Sequence, residues 1–183
     1  HGVGGFGETG RGTEEYTGSG PVDLLVGTLG KAFGVNGGYV TGPKVIIDYL
    51  RETSPFYIYS NPITPAEGAA AISAIDIVDS DQGRKLLTHL RQMTIRFETG
   101  LTQLGHETIA GEHPVVPLMV RDTEKTSDLV RHLHENGILA TGLNFPVVPA
   151  GEEEIRFQIC ADHNAADIDF ALDVIGRFEK KNR

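Results

Sequence analysis

The feature that most constrains the fold is an apolar segment that runs directly into a glycine-rich turn. Residues 22–26 have the length and composition of a buried strand, and Lys31 follows within a few residues, between Gly30 and Gly34. Glycines on both sides favour a tight turn. The pattern predicts that Lys31 lies where a strand ends. A lysine can condense with an aldehyde to give a Schiff base, although spacing alone favours a solvated surface lysine.

The rest of the chain predicts alternating helices and short strands. Residues 1–20 contain eight of the 23 glycines and predict a loop. Apolar periodicity predicts strands at residues 22–26, 39–41, 56–59, 115–120, 138–141 and 155–160. It predicts helices at residues 43–52, 64–78, 84–104 and 126–136, and a last helix capped by Asn164. The β-α-β-β-α order of the last elements indicates a small α/β domain, with its helices on one face of an antiparallel or mixed sheet.

Composition and charge limit the classes of function. The chain has 183 residues, of which 39% are hydrophobic and 22% are charged, as in water-soluble proteins of one or two domains. A net charge of −9 argues against nucleic acid as a partner. No apolar stretch is long enough to cross a membrane. The single cysteine, Cys160, permits no internal disulfide, and the expected location is the cytoplasm, or the mitochondrial matrix in a eukaryote.

Three patterns resemble known motifs but lack the residues or the sequence context that those motifs require. Glycines 2, 4 and 7 match the dinucleotide fingerprint by letter, but no strand precedes them and more loop follows. A phosphate-binding P-loop reading of Lys31 fails because Ala32 stands where serine or threonine is required. His132 and His134 are two positions apart on a predicted helix and therefore face different directions. No metal site is expected.

Several segments, in the same order along the chain, resemble the α-oxoamine synthases, pyridoxal-phosphate enzymes that join an amino acid to an acyl-CoA. The similar segments are residues 1–13, 27–32, 37–39, 57–61, 145–149 and 155–163. The resemblance implies an α/β fold, the C-terminal part of an aspartate-aminotransferase-like subunit of fold type I. Residues 1–80 would form the end of the large cofactor-binding domain, and residues 81–183 would form the small C-terminal α/β domain.

The resemblance also implies roles for individual residues. Lys31 would hold pyridoxal 5'-phosphate as a Schiff base and act as the catalytic base. His1 would lie over the cofactor ring and hydrogen-bond its phenolic oxygen. Thr28 would contact the cofactor. Ser60 and Asn61 would reach the cofactor phosphate of the neighbouring subunit, which implies a homodimer with a shared active site.

Arg156 is the candidate for binding the substrate. On the predicted strand, Ile155, Phe157 and Ile159 face the core, and Arg156 faces the opposite side. A planar guanidinium suits a carboxylate, although the sequence alone favours an ordinary solvated arginine. The resemblance implies that Arg156 binds the carboxylate of the amino-acid substrate.

The segment Phe145-Pro146-Val147-Val148-Pro149 most resembles the 2-amino-3-ketobutyrate CoA ligase branch, also called glycine C-acetyltransferase. That branch condenses glycine with acetyl-CoA in threonine breakdown. The alternatives are 8-amino-7-oxononanoate synthase, which uses alanine and a pimeloyl thioester, and, with less support, serine palmitoyltransferase. A non-catalytic fragment is an alternative of another class. The aspartate that pairs with the ring nitrogen would lie three residues before His1, so we expect this chain by itself to be an incomplete part of the enzyme.

Overall fold

The computed structural model describes residues 1–181 and shows two compact units, His1–Leu87 and Thr88–Arg183. In chain order the elements are α1 (Thr13–Thr17), β1 (Leu25–Thr28), β2 (Gly38–Thr41), α2 (Lys44–Thr53), α3 (Pro55–Tyr59), α4 (Pro65–Val78), α5 (Asp81–Gln103), β3 (Glu107–Thr108), β4 (Val115–Met119), α6 (Thr123–Glu135), β5 (Thr141–Leu143), β6 (Glu154–Gln158) and α7 (Ala165–Lys181). The expected division at residue 80 into a large and a small domain stays a prediction.

The first unit contains an antiparallel pair of strands, β1 and β2, in which Thr28 lies opposite Gly38. The strand predicted at residues 22–26 begins three residues later, and it is not buried. Val22 and Val26 are 46% and 68% exposed. In the described chain β1 has only one partner strand, and Val26 lies on an uncovered face, whereas Gly27 is buried.

The two strands approach closely because glycines occupy the contact. A Cβ atom on Gly38 would lie 2.7 Å from the carbonyl oxygen of Gly27, which is too short for any side chain. A Cβ on Gly27 would in turn lie 2.2 Å from the Tyr39 ring. The position of Thr28 at the end of β1 therefore depends on the absence of side chains at both positions.

The strand predicted at residues 56–59 is wrong, because these residues form the short helix α3. Pro55 occupies its first turn, where the fixed φ of proline favours a helix. Phe56 and Tyr59 are both 87% exposed, so the apolar composition that suggested a strand reflects an uncovered surface. The next helix begins as predicted, since Thr64 and Glu67 form a reciprocal capping box at the start of α4.

The second unit is an antiparallel sheet of order β3-β4-β6-β5 with a single apolar core. The alternation predicted for β6 is confirmed, since Ile155 and Phe157 are buried and Arg156 is exposed. The apolar periodicity that predicted the last helix is also confirmed, since Ile168 and Ile175 of α7 are buried. Within residues 1–181 no helix is both long and apolar enough to cross a membrane.

Two features of this sheet concern the position of its strands. The strand predicted at residues 138–141 lies instead at β5, three residues later. Pro117 lies in an inner strand, where proline is unusual, because β4 pairs with both β3 and β6. It is tolerated because β3 pairs only as far as Leu118, and the Thr108 hydroxyl donates to the Pro117 carbonyl oxygen at 2.7 Å. No ladder hydrogen bond from residue 117 to β3 is therefore needed.

We predict that Gly38→Ala lowers the free energy of unfolding by about 1–3 kcal/mol, because the new methyl group collides with the β1 backbone. Gly68→Ala is the control. It adds a methyl group in α4 with no atom within 4 Å, and the gain in helix propensity should stabilise the protein by about 0.5–1 kcal/mol. Thermal and urea unfolding measure both changes. Equal stability of the two variants would contradict the close approach described for Gly38.

We also predict that acid destabilises the second unit through His106. Burial holds the pKa of His106 below its ordinary value, the carboxylate of Glu179 opposes that shift, and Lys125 adds to it. The Nε2 atom of His106 is buried and lacks a hydrogen-bond partner among the described residues. The unfolded chain takes up a proton as the pH falls through about 6.5, whereas the folded chain resists it, so stability falls with pH in that range.

The measurement is urea unfolding of the parent protein and of His106→Gln at pH values between 9 and 5. The variant should lose less stability than the parent between pH 7 and pH 5. Between pH 9 and pH 8 the two slopes should agree, since the imidazole is neutral in both states. A variant that loses stability as steeply as the parent below pH 7 would show that His106 does not contribute.

Candidate active site

Lys31 opens a turn in the loop that joins β1 to β2. The loop is closed by backbone hydrogen bonds of 2.9 Å from Leu29 N to the Gly37 oxygen and from Val35 N to the Leu29 oxygen. Gly34 N donates to the Lys31 carbonyl oxygen at 3.1 Å, and Gly34 has a φ of 64°, which favours glycine. Lys31 is exposed and forms no ion pair with any described residue. The turn therefore presents a primary amine that is accessible to a reacting molecule.

Thr28 is the last residue of β1, three positions before Lys31. Its Oγ1 atom is buried and has no hydrogen-bond partner within the described chain. A buried hydroxyl without a partner costs about 1–3 kcal/mol, and buried polar groups are nearly always satisfied. An unpaired buried hydroxyl three residues before an accessible amine indicates that a polar ligand completes this position.

The glycine-rich segment that begins at His1 packs against the Lys31 turn. A Cβ atom on Gly4 would lie 2.9 Å from the Ala32 Cβ and 3.1 Å from the Phe33 ring, and Gly4 has a φ of 89°. The segment folds on itself through a hydrogen bond of 2.6 Å from Gly4 N to the Gly10 oxygen. His1 is exposed at the start of this segment. The structure thus brings the segments of His1 and Lys31 into contact.

Glu15 fixes the far end of the glycine-rich segment. Its carboxylate accepts hydrogen bonds from Thr9 N at 2.9 Å, from the Thr9 hydroxyl at 2.7 Å and from Arg11 N at 3.0 Å. Burial alone would raise the pKa of Glu15, but these hydrogen bonds outweigh it and hold the pKa below its ordinary value. Arg11 forms an ion pair of 2.9 Å with Asp79 at the end of α4. The loop is therefore held in one conformation by charged groups.

Ser60 and Asn61 follow α3 and are exposed. The Ser60 hydroxyl donates to the carbonyl oxygen of Phe56 in α3. The same stretch borders the Lys31 loop, because a Cβ on Gly37 would lie 2.4 Å from the Ile63 Cγ2.

Arg156 belongs to the second unit and lies on the exposed face of β6. Its side chain is 53% exposed and lies between Pro117 of β4 and Thr141 of β5 in the strand register. Its Nε atom donates to the Glu154 Oε1 at 2.6 Å. Glu154 was not predicted as a site residue. Its spacing from Arg156 could have identified it, since residues two apart on a strand lie on the same face.

A metal centre is not indicated by the part of the chain that the structure describes. In that part, no group of three or more histidine, cysteine, aspartate or glutamate side chains is placed to hold a metal ion. The chemically distinctive features are the accessible Lys31 amine, the unpaired Thr28 hydroxyl and the Arg156 guanidinium.

Comparisons with known proteins agree on the family. The family model described as aminotransferase class I and II matches residues 1–175. The 8-amino-7-oxononanoate synthase of Petrotoga mobilis is 39% identical over 182 residues, which cover 98% of this chain and 45% of that protein. The 2-amino-3-ketobutyrate coenzyme A ligase of Salmonella typhimurium is 36% identical over 183 residues, which cover 99% of this chain and 46% of that protein.

A solved structure extends the likeness to the fold. Serine palmitoyltransferase from S. paucimobilis with a bound PLP–myriocin aldimine superposes with a TM-score of 0.90 at 26% identity, covering 99% of this chain and 46% of that chain. The chain therefore spans about half the length of the curated relatives it matches. The predicted aspartate-aminotransferase-like fold and the predicted resemblance to the α-oxoamine synthases are confirmed, and the chain belongs to the aminotransferase class I and II family.

Proposed function

We propose that the protein carrying this chain is a pyridoxal-phosphate-dependent α-oxoamine synthase that condenses glycine with acetyl-CoA. The observation that carries the proposal is the Lys31 turn, which presents an accessible amine three residues after Thr28, whose buried hydroxyl is unpaired among the described residues. The family match and the relatives that bind a pyridoxal cofactor or use acyl thioesters support it.

The residues of the first unit fit pyridoxal phosphate. The Lys31 amine forms no ion pair with a described residue and is free to react with the cofactor aldehyde. The Thr28 hydroxyl would gain the partner it lacks from a polar atom of the cofactor. His1 would lie over the ring. Asn61 and the backbone after α3 would contact the phosphate of a neighbouring subunit, and Ser60 would have to turn its hydroxyl away from Phe56 to do the same.

When bound, pyridoxal phosphate withdraws electrons from the α-carbon of an attached amino acid. Lys31 would serve twice through the same atom: its Nζ would hold the cofactor, and, once an amino acid took its place, the amine would accept the proton from the α-carbon. In that role no second residue would be needed as the catalytic base.

Arg156 would hold the substrate carboxylate through its two terminal amino groups. Neither of them forms a hydrogen bond with a described residue, since the pair with Glu154 uses Nε. A fork of two parallel N–H donors matches the two oxygens of a carboxylate and fixes its orientation. In the proposed condensation the α-carbon would form a bond to the acyl carbon, and the bond between the acyl carbon and sulfur would break. Coenzyme A would leave as the thiol, and its sulfur would take up the proton that the α-carbon lost.

The second candidate reaction is that of an 8-amino-7-oxononanoate synthase. A relative with that name is 39% identical to this chain, and the relative named 2-amino-3-ketobutyrate coenzyme A ligase is 36% identical. Phe145-Pro146-Val147-Val148-Pro149 favours glycine and acetyl-CoA, whereas these identities do not. Turnover of glycine with acetyl-CoA, measured beside turnover of alanine with pimeloyl-CoA, separates the two. A preference for the second pair would replace our substrate assignment and leave the reaction type unchanged.

We also propose a cytoplasmic homodimer with a shared active site, acting in threonine breakdown. The apolar side chains of α3 support the subunit contact, since Phe56, Tyr57, Ile58 and Tyr59 are between 48% and 87% exposed. An exposed apolar patch of this kind is a common mark of a protein interface. The segment ends at Ser60 and Asn61, the residues proposed to reach the neighbouring site.

We predict that Lys31→Ala abolishes the covalent attachment of pyridoxal phosphate and all turnover, because no other amine opens the β1–β2 turn. The parent protein should show the visible absorbance of a Schiff base, and borohydride reduction followed by peptide mapping should place the label on Lys31. Lys44→Ala is the control, since Lys44 pairs with Asp48 on α2 and should be dispensable. A Lys31→Ala variant that still turns over substrate would remove the basis of the proposal.

We predict that Arg156→Lys weakens binding of the amino acid by about 1.5–3 kcal/mol, because a point charge replaces a two-pronged contact. The Michaelis constant for glycine should rise, and the affinity for pyridoxal phosphate should change little. Arg121→Lys is the matched control, since this arginine pairs with Glu107 in the same unit and has no proposed role. An unchanged affinity for both glycine and alanine would mean that Arg156 is an ordinary surface arginine.

A further inference from the structure

Glu154 is a buried acid whose side chain contacts the proposed substrate arginine. Its side chain is 8% exposed, whereas that of Arg156 is 53% exposed, and Arg156 Nε donates to Glu154 Oε1 at 2.6 Å. Glu154 lies opposite Met119 in β4 and Leu143 in β5, so its neighbours in the sheet are apolar. A carboxylate in that setting needs a cation within hydrogen-bond distance. Arg156 is the cation that the structure supplies.

The geometry of the contact leaves the binding end of the arginine open. Glu154 engages only Nε, on the side of the guanidinium, and neither Nη atom forms a hydrogen bond with a described residue. The two Nη groups are the pair that donates to both oxygens of a carboxylate that approaches end-on. Because strand residues two apart lie on the same face, the acid sits next to the arginine and not across the sheet from it.

We propose that Glu154 is a positioning residue for the amino-acid substrate: it holds the guanidinium plane of Arg156 so that the Nη groups face outward. The proposal rests on the proposed role of Arg156. A free arginine side chain loses rotamer freedom when it binds a ligand, and this loss weakens binding. Glu154 restricts the side chain before the substrate arrives, because turning away would leave a buried carboxylate without a counter-charge.

The experiment compares Glu154→Gln with Glu153→Gln in the full-length protein loaded with pyridoxal phosphate. Glu153 is an ideal control: it is the adjacent residue and equally buried, but its carboxylate accepts from the Thr123 hydroxyl and from Gly151 N. Calorimetry with glycine, and separately with alanine, gives the dissociation constant without turnover. Glu154→Gln should weaken binding about tenfold, because a charge-assisted hydrogen bond becomes a neutral one, and Glu153→Gln should not weaken it.

Steady-state kinetics add a readout that a general loss of structure would not reproduce. Glu154→Gln should raise the Michaelis constant for the amino acid and leave kcat within about threefold, because uniform binding is lost and the reacting atoms are untouched. Glu154→Met provides a second variant in case the amide destabilises the protein. Methionine suits the apolar neighbours Met119 and Leu143, and the arginine that loses its partner is half exposed, so this variant should fold and should weaken amino-acid binding at least as much.

A double variant separates the two proposals. If Glu154 acts through Arg156, then Glu154→Gln should have little further effect in an Arg156→Lys background. If Arg156→Lys weakens binding and Glu154→Gln leaves it unchanged or tightens it, the positioning role is wrong and the proposed function stands. If neither change affects glycine or alanine binding, the proposed role of Arg156 is wrong, and the role of Glu154, which depends on it, is wrong as well.

Discussion

The second unit depends on the alternation of one strand, β6. Ile155 and Phe157 point into the core, where the Phe157 ring lies 4.9 Å from that of Phe97, and Arg156 points to the open face. The strand is hydrogen-bonded to β4 on one side and β5 on the other. A slip of one residue would bury the arginine and expose the apolar side chains, so the core contacts that stabilise the sheet also fix the arginine on its open face.

The first unit achieves its geometry in a different way, because it has little core of its own. Its buried apolar cluster contains only Leu29, Val35 and Ala71 among the described residues. The Lys31 turn is shaped instead by backbone hydrogen bonds and by strands that approach closely at glycines. Such a turn can hold a lysine accessible and a threonine hydroxyl unpaired, which a tightly packed core would not permit. The proposed chemistry requires both features.

Sequence periodicity predicted the long helices and β6, because their side chains alternate between a core and an open face. It failed where this contrast was absent: residues 56–59 are apolar but exposed, and Pro55 makes them helical. The inner position of Pro117 depends on how short β3 is, which no local pattern records. The proposed roles of Lys31, His1 and Ser60 came from family resemblance, since residue types alone left Lys31 an ordinary surface lysine.

Glu154 went unrecognised because a glutamate at the start of a strand is ordinarily read as solvated. In the sheet Glu154 lies opposite Met119 and Leu143, and its side chain is 8% exposed, whereas Arg156, opposite Pro117 and Thr141, remains half exposed. An ion pair with one buried and one exposed member is a poor source of stability, because the desolvation of the acid offsets much of the attraction. It is, however, an effective way to orient the exposed member, since the arginine cannot turn away without leaving a buried charge unpaired.

The neighbouring Glu153 shows the contrast. Its carboxylate accepts hydrogen bonds from the Thr123 hydroxyl and from Gly151 N, and so connects the chain before β6 to the start of α6. Of two adjacent buried acids, one therefore stabilises the fold and the other orients the proposed binding group.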